Sequence, residues 1–148
     1  MNTETPYSQI REQFSDHLRQ KRQRCTPERL ALLDYIYANE GYFTAEQLFA
    51  ALKDTCRVSM ATVYNTLNLL LECNLAVRHT FNGQNAFWER ALYETPRHYF
   101  VCSRCGAAKG FADKKIRQSI KQKNFTNFNP THYSLYIYGE CKKCKKQK

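Results

Sequence analysis

The sequence predicts an α+β chain: an N-terminal winged helix, a helix-turn-helix variant, followed by a small C-terminal α/β domain with a four-cysteine zinc site. Three observations predict it. Three successive segments carry apolar residues at helical spacing behind capping residues. Two extended runs flank Asn82-Gly83, a strong hairpin signal. Cys102-x-x-Cys105 and Cys141-x-x-Cys144 repeat a metal-binding knuckle within one chain.

The helices follow in order. Residues 1–20 form an extension. Thr26-Pro27 then supplies an N-cap and a proline at the first helical position, where its missing N–H is harmless. Leu30, Leu33, Ile36 and Tyr37 recur at helical spacing, and Gly41 ends the segment. Thr44 and Gln47 make a capping box ahead of Leu48, Phe49 and Leu52. Ser59 caps a third helix through Val63, Leu67, Leu70 and Leu71, ending near Asn74. Three short helices with one apolar stripe each bury those stripes against one another.

Leu75–Thr80 and Asn85–Glu89 read as the wing strands, which completes a DNA-binding domain over residues 1–92. The acidic, proline-bearing stretch Tyr93–Pro96 reads as a linker, and residues 97–148 as the second domain. There His98–Cys102, Ala107–Phe111 and Ser134–Tyr138 read as strands, and Lys114–Lys123 as a helix. A two-residue spacer turns both sulfurs of a knuckle onto one ion, so Cys102, Cys105, Cys141 and Cys144 predict one tetrahedral zinc per chain. Four thiolates leave no open coordination position, so the role is structural. The 35 residues between the knuckles imply that the ion ties an early strand or turn to the C-terminal end.

Of 148 residues, 43% are hydrophobic, enough for a core. No stretch is long and apolar enough for a signal peptide or a membrane span; the longest aliphatic run is Leu69-Leu70-Leu71. Seven cysteines without an export signal point to a reducing cytoplasm. The net charge of +10 favours a polyanionic partner, with clusters at Arg19–Arg29 and Lys142–Lys148. Part of the second cluster offsets the negative charge of the zinc thiolates. Cys25, Cys56 and Cys73 sit at helix edges, where small semi-buried packing roles are the default. No G-x-S-x-G, P-loop or H-E-x-x-H motif suggests an enzyme.

In a helix-turn-helix the second helix enters the major groove by its N-terminal residues. Here that helix begins Ser59-Met60-Ala61-Thr62-Val63-Tyr64-Asn65. Ser59, Ala61 and Thr62 are small enough for close approach. Thr62 and Tyr64 suit thymine methyls or phosphates, and Asn65 suits adenine or phosphate. Arg57, at the positive end of the helix dipole, suits a phosphate, and Arg24 a neighbouring backbone or minor groove.

The order of segments resembles the ferric-uptake-regulator (Fur) family of bacterial metal-dependent repressors. The matching stretches are Cys25–Arg29, Thr44–Phe49, Val58–Tyr64, Arg78–Gly83, Cys102–Gly106 and Leu135–Cys141. The resemblance implies a winged helix joined to a small α/β dimerisation domain. It also implies a homodimer on a palindromic operator of double-stranded DNA, with metal in a regulatory site coupling the domains. By position, Arg24 and Tyr64 match family DNA contacts, and the four cysteines match the structural zinc site. The chain departs from the family elsewhere. Asn65 follows the motif tyrosine where the family usually has arginine, and Tyr42 stands where a histidine ligand is usual. Pro96–Phe100 replaces a His-x-His cluster, and Gly110 and Arg117 replace acidic ligands. Glu89, His98 and His132 are the residual candidates for the regulatory site, with His79 a further one. The iron or manganese response is therefore expected to be crippled or rebuilt. Two alternatives stay open. One is a zinc-ribbon-like adaptor for RNA or protein, using Tyr99, Phe100, Tyr133, Tyr136 and Tyr138 as a stacking sheet. The other is a haem- or redox-responsive regulator acting through cysteine thiolates.

Overall fold

A computed structural model of the chain describes residues 6–81, 83, 85–91, 98–130 and 132–146. Two compact units emerge, Met1–Thr80 with Asn85–Tyr93, and Phe81–Gln84 with Glu94–Lys148. The proposed linker, Tyr93–Pro96, lies outside the described residues.

The first unit holds α1 (Tyr7–Gln20), α2 (Pro27–Ala38), α3 (Ala45–Leu52), α4 (Met60–Glu72), β1 (Ala76–His79) and β2 (Phe87–Arg90). Three N-caps form as their residue types dictate. The hydroxyl of Thr26 accepts the Arg29 N–H at 3.3 Å and that of Ser59 accepts the Thr62 N–H at 3.1 Å. Thr44 and Gln47 exchange bonds of 3.1 and 2.9 Å in a reciprocal capping box. Each cap contributes about 1 kcal/mol. The core is Leu32, Leu33, Ile36, Leu48, Val63, Leu67 and Leu70, all essentially inaccessible. Each such aliphatic side chain contributes about 1.5–3 kcal/mol through burial.

Within the 1–20 extension, Tyr7–Gln20 forms helix α1. In α1, Ile10, Phe14 and Leu18 recur every fourth residue and are buried in the same core. Polar bonds fix α1 to the end of α4: His17 Nε2 lies 3.0 Å from Glu72 Oε2, and Gln13 Nε2 donates to the Cys73 carbonyl at 3.0 Å.

β1 and β2 pair antiparallel from Ala76↔Arg90 to His79↔Phe87. The ladder ends at His79↔Phe87, short of the Asn82-Gly83 pair around which the sequence suggests a two-residue turn. The physical reason is Phe81, which leaves the ladder to become 1% exposed against Tyr99 and Tyr136, with ring centroids 5.2 and 5.7 Å away. Asn82 and Gln84 lie outside the described residues. Phe43 joins the hairpin through paired backbone bonds to Trp88, both 2.8 Å.

The second unit holds β3 (His98–Cys102), β4 (Ala108–Phe111), α5 (Lys114–Lys121), β5 (Leu135–Gly139) and the one-turn α6 (Lys142–Lys145). The sheet order is β4-β3-β5, with β4 antiparallel and β5 parallel to β3. A parallel neighbour requires a crossover, which β4 and α5 supply. Asp113 caps α5 by accepting the Ile116 N–H at 3.0 Å. Mixed helices and sheet with a C-terminal four-cysteine cluster make the chain α+β.

Candidate metal centre and nucleic-acid interface

The sheet register builds the metal centre. Cys102 ends β3 opposite Gly139 of the parallel β5, so the chain leaves both strands at the same edge. Cys105 lies in the turn between β3 and β4, where Gly106 takes a positive φ of 76° and its N–H bonds the Cys102 carbonyl at 2.9 Å. Cys141 follows β5, and Cys144 lies in α6. The Ser103 N–H to Gly139 carbonyl bond of 2.8 Å locks one knuckle to the other. Arg104 Nη1 adds a 3.1 Å bond to the Cys144 carbonyl.

All four sulfurs lie within 4.8 Å of one another. The Sγ atoms of Cys105 and Cys141 are 3.8 Å apart. Zinc–sulfur bonds of about 2.3 Å in a tetrahedron require sulfur separations of about 3.8 Å, so the donor set fits zinc. Backbone amides prepare the thiolates. The N–H groups of Cys105 and Cys141 pull the Cys102 thiol down to about 6, the latter at 3.3 Å. Cys141 is lowered as well, first by the Cys144 N–H. Cys144 is pushed up to about 12, chiefly by its hydrogen bond to Cys141. Zinc binds thiolates, so loading the cluster would release whatever protons its thiols hold.

The candidate nucleic-acid interface is the N-terminal part of α4. Val63, Thr66, Leu67 and Leu70 face the core, while Ala61, Tyr64, Asn65 and Asn68 form an exposed stripe at i, i+3, i+4 and i+7. Asn68 belongs to this stripe although its sequence position, a full turn beyond Asn65, did not single it out. Ser59 and Thr62 are tied at the cap, their hydroxyls 2.9 Å apart. Tyr64 is 42% exposed, yet its ring stands edge-on to Trp88 at 6.0 Å and its hydroxyl bonds Glu46 at 3.4 Å. That fixes its direction in advance of any partner. Arg57 and Arg24 are exposed. The loop bearing Arg24 is held by Arg29 Nη1, which donates to the Arg24 carbonyl at 2.6 Å.

The residual regulatory candidates are engaged otherwise. In the first unit, Glu89 is buried and receives His79 Nε2 at 2.6 Å. Tyr42 lies near enough that burial first, and the Glu89 charge second, raise its phenol. In the second unit, His98 is fully buried with Nε2 2.8 Å from the Tyr133 hydroxyl, whereas His132 is exposed. Burial, and then the Arg117 charge, lower the His98 imidazole. Among the described residues, the four cysteines alone form a group of three or more His, Cys, Asp or Glu side chains that could hold one ion. No described helix is long and apolar enough to cross a membrane.

The peroxide-responsive repressor PerR of Staphylococcus aureus is 30% identical over 131 residues, 86% of each chain. A ferric uptake regulator from Pseudomonas aeruginosa, solved with manganese, superposes with a TM-score of 0.72 at 27% identity, over 86% of this chain and 97% of that one. A zinc uptake regulator complexed with zinc and DNA is 25% identical with a TM-score of 0.50, over 96% and 97% of the two chains. Residues 20–138 match the model of the ferric uptake regulator family. With that match over most of its length, the two folded units and the four-cysteine cluster, this chain belongs to the ferric uptake regulator family.

Proposed function

We propose that the chain is a non-enzymatic, homodimeric transcriptional repressor that binds a palindromic operator and carries one structural zinc per chain. Its response to iron or manganese is altered. The observation that carries the reading is the capped α4, whose exposed stripe of Ala61, Tyr64, Asn65 and Asn68 is rigidly backed by the core. Ser59, Ala61 and Thr62 approach base edges, Tyr64 and Asn65 make directional contacts, and Arg24 and Arg57 neutralise phosphates. The DNA-bound zinc uptake regulator supports such a use of the fold. The work of a bacterial repressor is cytoplasmic, where the seven thiols stay reduced.

Dimerisation is supported by the second unit. β5 is an edge strand, and Phe100, Ile137 and Tyr138 expose 48%, 43% and 56% of their surface. In α5 no residue is buried, although Ile116 and Ile120 make one side apolar. A second copy would cover both. The altered metal response is supported by Glu89, already bonded to His79, and by the Arg117 charge beside His98. Iron or manganese sites need several nitrogen and oxygen donors in a fixed geometry.

Operator selection with the purified protein tests this. A palindromic site should emerge, with affinity falling steeply in salt as counterions are released. Arg57→Ala should lower the salt slope by about 1 without changing the preferred sequence. Tyr64→Ala should weaken specific binding by about 1–3 kcal/mol. Selection that yields no preferred duplex, or single-stranded RNA bound more tightly, would sink the reading.

A further inference from the structure

Strand β1 carries a cation that no carboxylate among the described residues matches. Ala76, Val77 and His79 are buried in it, and Arg78 is exposed. The register sets Arg78 directly opposite Trp88 of β2, on the same face of the ladder. There its guanidinium stands over the indole, 5.8 Å from the ring centroid. Arg78 takes part in no ion pair among the described residues. Arg90, two positions along β2, is by contrast spent. Its Nη1 donates to the Tyr37 carbonyl at 2.8 Å, and its Nη2 lies 3.6 Å from Glu40.

The same indole also touches α4. Trp88 is 4% exposed, held by its two backbone bonds to Phe43, and the Tyr64 ring stands edge-on to it at 6.0 Å. Its Nε1 is buried without a hydrogen-bond partner, so the side chain acts through its bulk and its π face. Among aromatic side chains that face is the best for a cation. One fixed ring thus orients two neighbours, the phenol of α4 and the guanidinium of β1. Both lie about 6 Å from its centroid, hence at most about 12 Å from each other, the width of a major groove. A cation that far from a groove-inserted Tyr64 meets the phosphate backbone that walls the groove. Glu46 accepts the Tyr64 hydroxyl at 3.4 Å and is not ion-paired with Arg78, so it leaves the guanidinium unspent. Arginine suits this place because a guanidinium stacks on an aromatic face while its planar fork holds a phosphate.

We propose that Arg78 is a further DNA-contacting residue, gripping a phosphate beside the groove that α4 enters, and that Trp88 positions both Arg78 and Tyr64. The inference rests on the proposed function, because it needs α4 to enter duplex DNA. Stacking on the indole restricts the arginine in advance, so less side-chain freedom is lost on contact. A phosphate contact of this kind sets the register of α4 on the duplex without reading its sequence.

The test uses the zinc-loaded full-length protein and two labelled duplexes, the selected operator and one of unrelated sequence, across a salt series. Arg78→Gln should lower the salt slope by about 1 for each bound chain, and weaken both duplexes about tenfold per chain at about 0.1 M salt. Arg78→Lys, which keeps the charge, should restore the slope. Trp88→Phe should keep the slope, since the cation remains, yet weaken operator binding several-fold. A ring with a structural role alone would change urea unfolding and leave the affinity of the folded protein as it was. Circular dichroism reports that each variant is folded. In the unmutated protein, either duplex should change the emission of Trp88, the chain's one tryptophan, in a saturable way. Unchanged slope and affinity in Arg78→Gln would overturn the contact. Unchanged affinity in Trp88→Phe, or an emission blind to both duplexes, would overturn the positioning role. Unmutated protein that binds neither duplex would instead sink the proposed function.

Discussion

Single residues divide into those whose role is local and those whose role depends on strand register. Ser59, Thr26 and Thr44 act within one turn of their own helix, so their caps are legible in the sequence. The pairs His79–Glu89 and His98–Tyr133 are not, because a ladder or sheet brings together residues 10 and 35 positions apart. The first pair makes a stability prediction. His79→Ala leaves the Glu89 carboxylate buried without this donor, and urea unfolding should show a loss of about 3–5 kcal/mol. Adding Glu89→Gln should recover part of it, since an amide needs no counter-charge. Tyr37 makes a pH prediction. Burial first, and Cys73 second, push its phenol up from 10.0 to about 12, while its hydroxyl donates to the Leu75 carbonyl at 2.8 Å. A raised phenol favours the protonated folded state. Its stabilisation is complete below pH 10 and is lost as the pH rises through about 12. Tyr37→Phe should flatten the alkaline limb of stability against pH; an unchanged limb would remove Tyr37 from that role.

At the scale of elements, most of the fold was legible because each helix announces itself by a cap and an apolar stripe. Two departures have physical causes. Helix α1 begins after Pro6 with no side-chain cap, so only the four-residue spacing of Ile10, Phe14 and Leu18 marks it. All three are buried in the core, a role the sequence reading of 1–20 as an extension did not assign. Phe14→Ala should therefore cost about 3–5 kcal/mol in chemical denaturation. A loss under 1 kcal/mol would mean that α1 adds little to the core. The wing departs because Phe81 gains more from burial against Tyr99 and Tyr136 than from extending the ladder. Turn residues alone do not reveal such a long-range competitor. The metal centre was the most legible element, since the doubled knuckle needs only a sheet register that closes it, and Cys102↔Gly139 supplies one.

For the molecule as a whole, two units carry two kinds of chemistry. The first presents the capped, rigid stripe of α4; the second gathers four cysteine sulfurs in a set that fits zinc. Structural metal and regulatory metal, joined in the family pattern, are here proposed to be uncoupled. The most direct test combines elemental analysis of the purified protein with operator affinity measured after mild chelation and after adding ferrous or manganous ion. One zinc per chain, lost on substitution of Cys141, with operator affinity unchanged by chelator or added metal, is the expected result. A second tightly bound metal whose removal abolishes operator binding would contradict it.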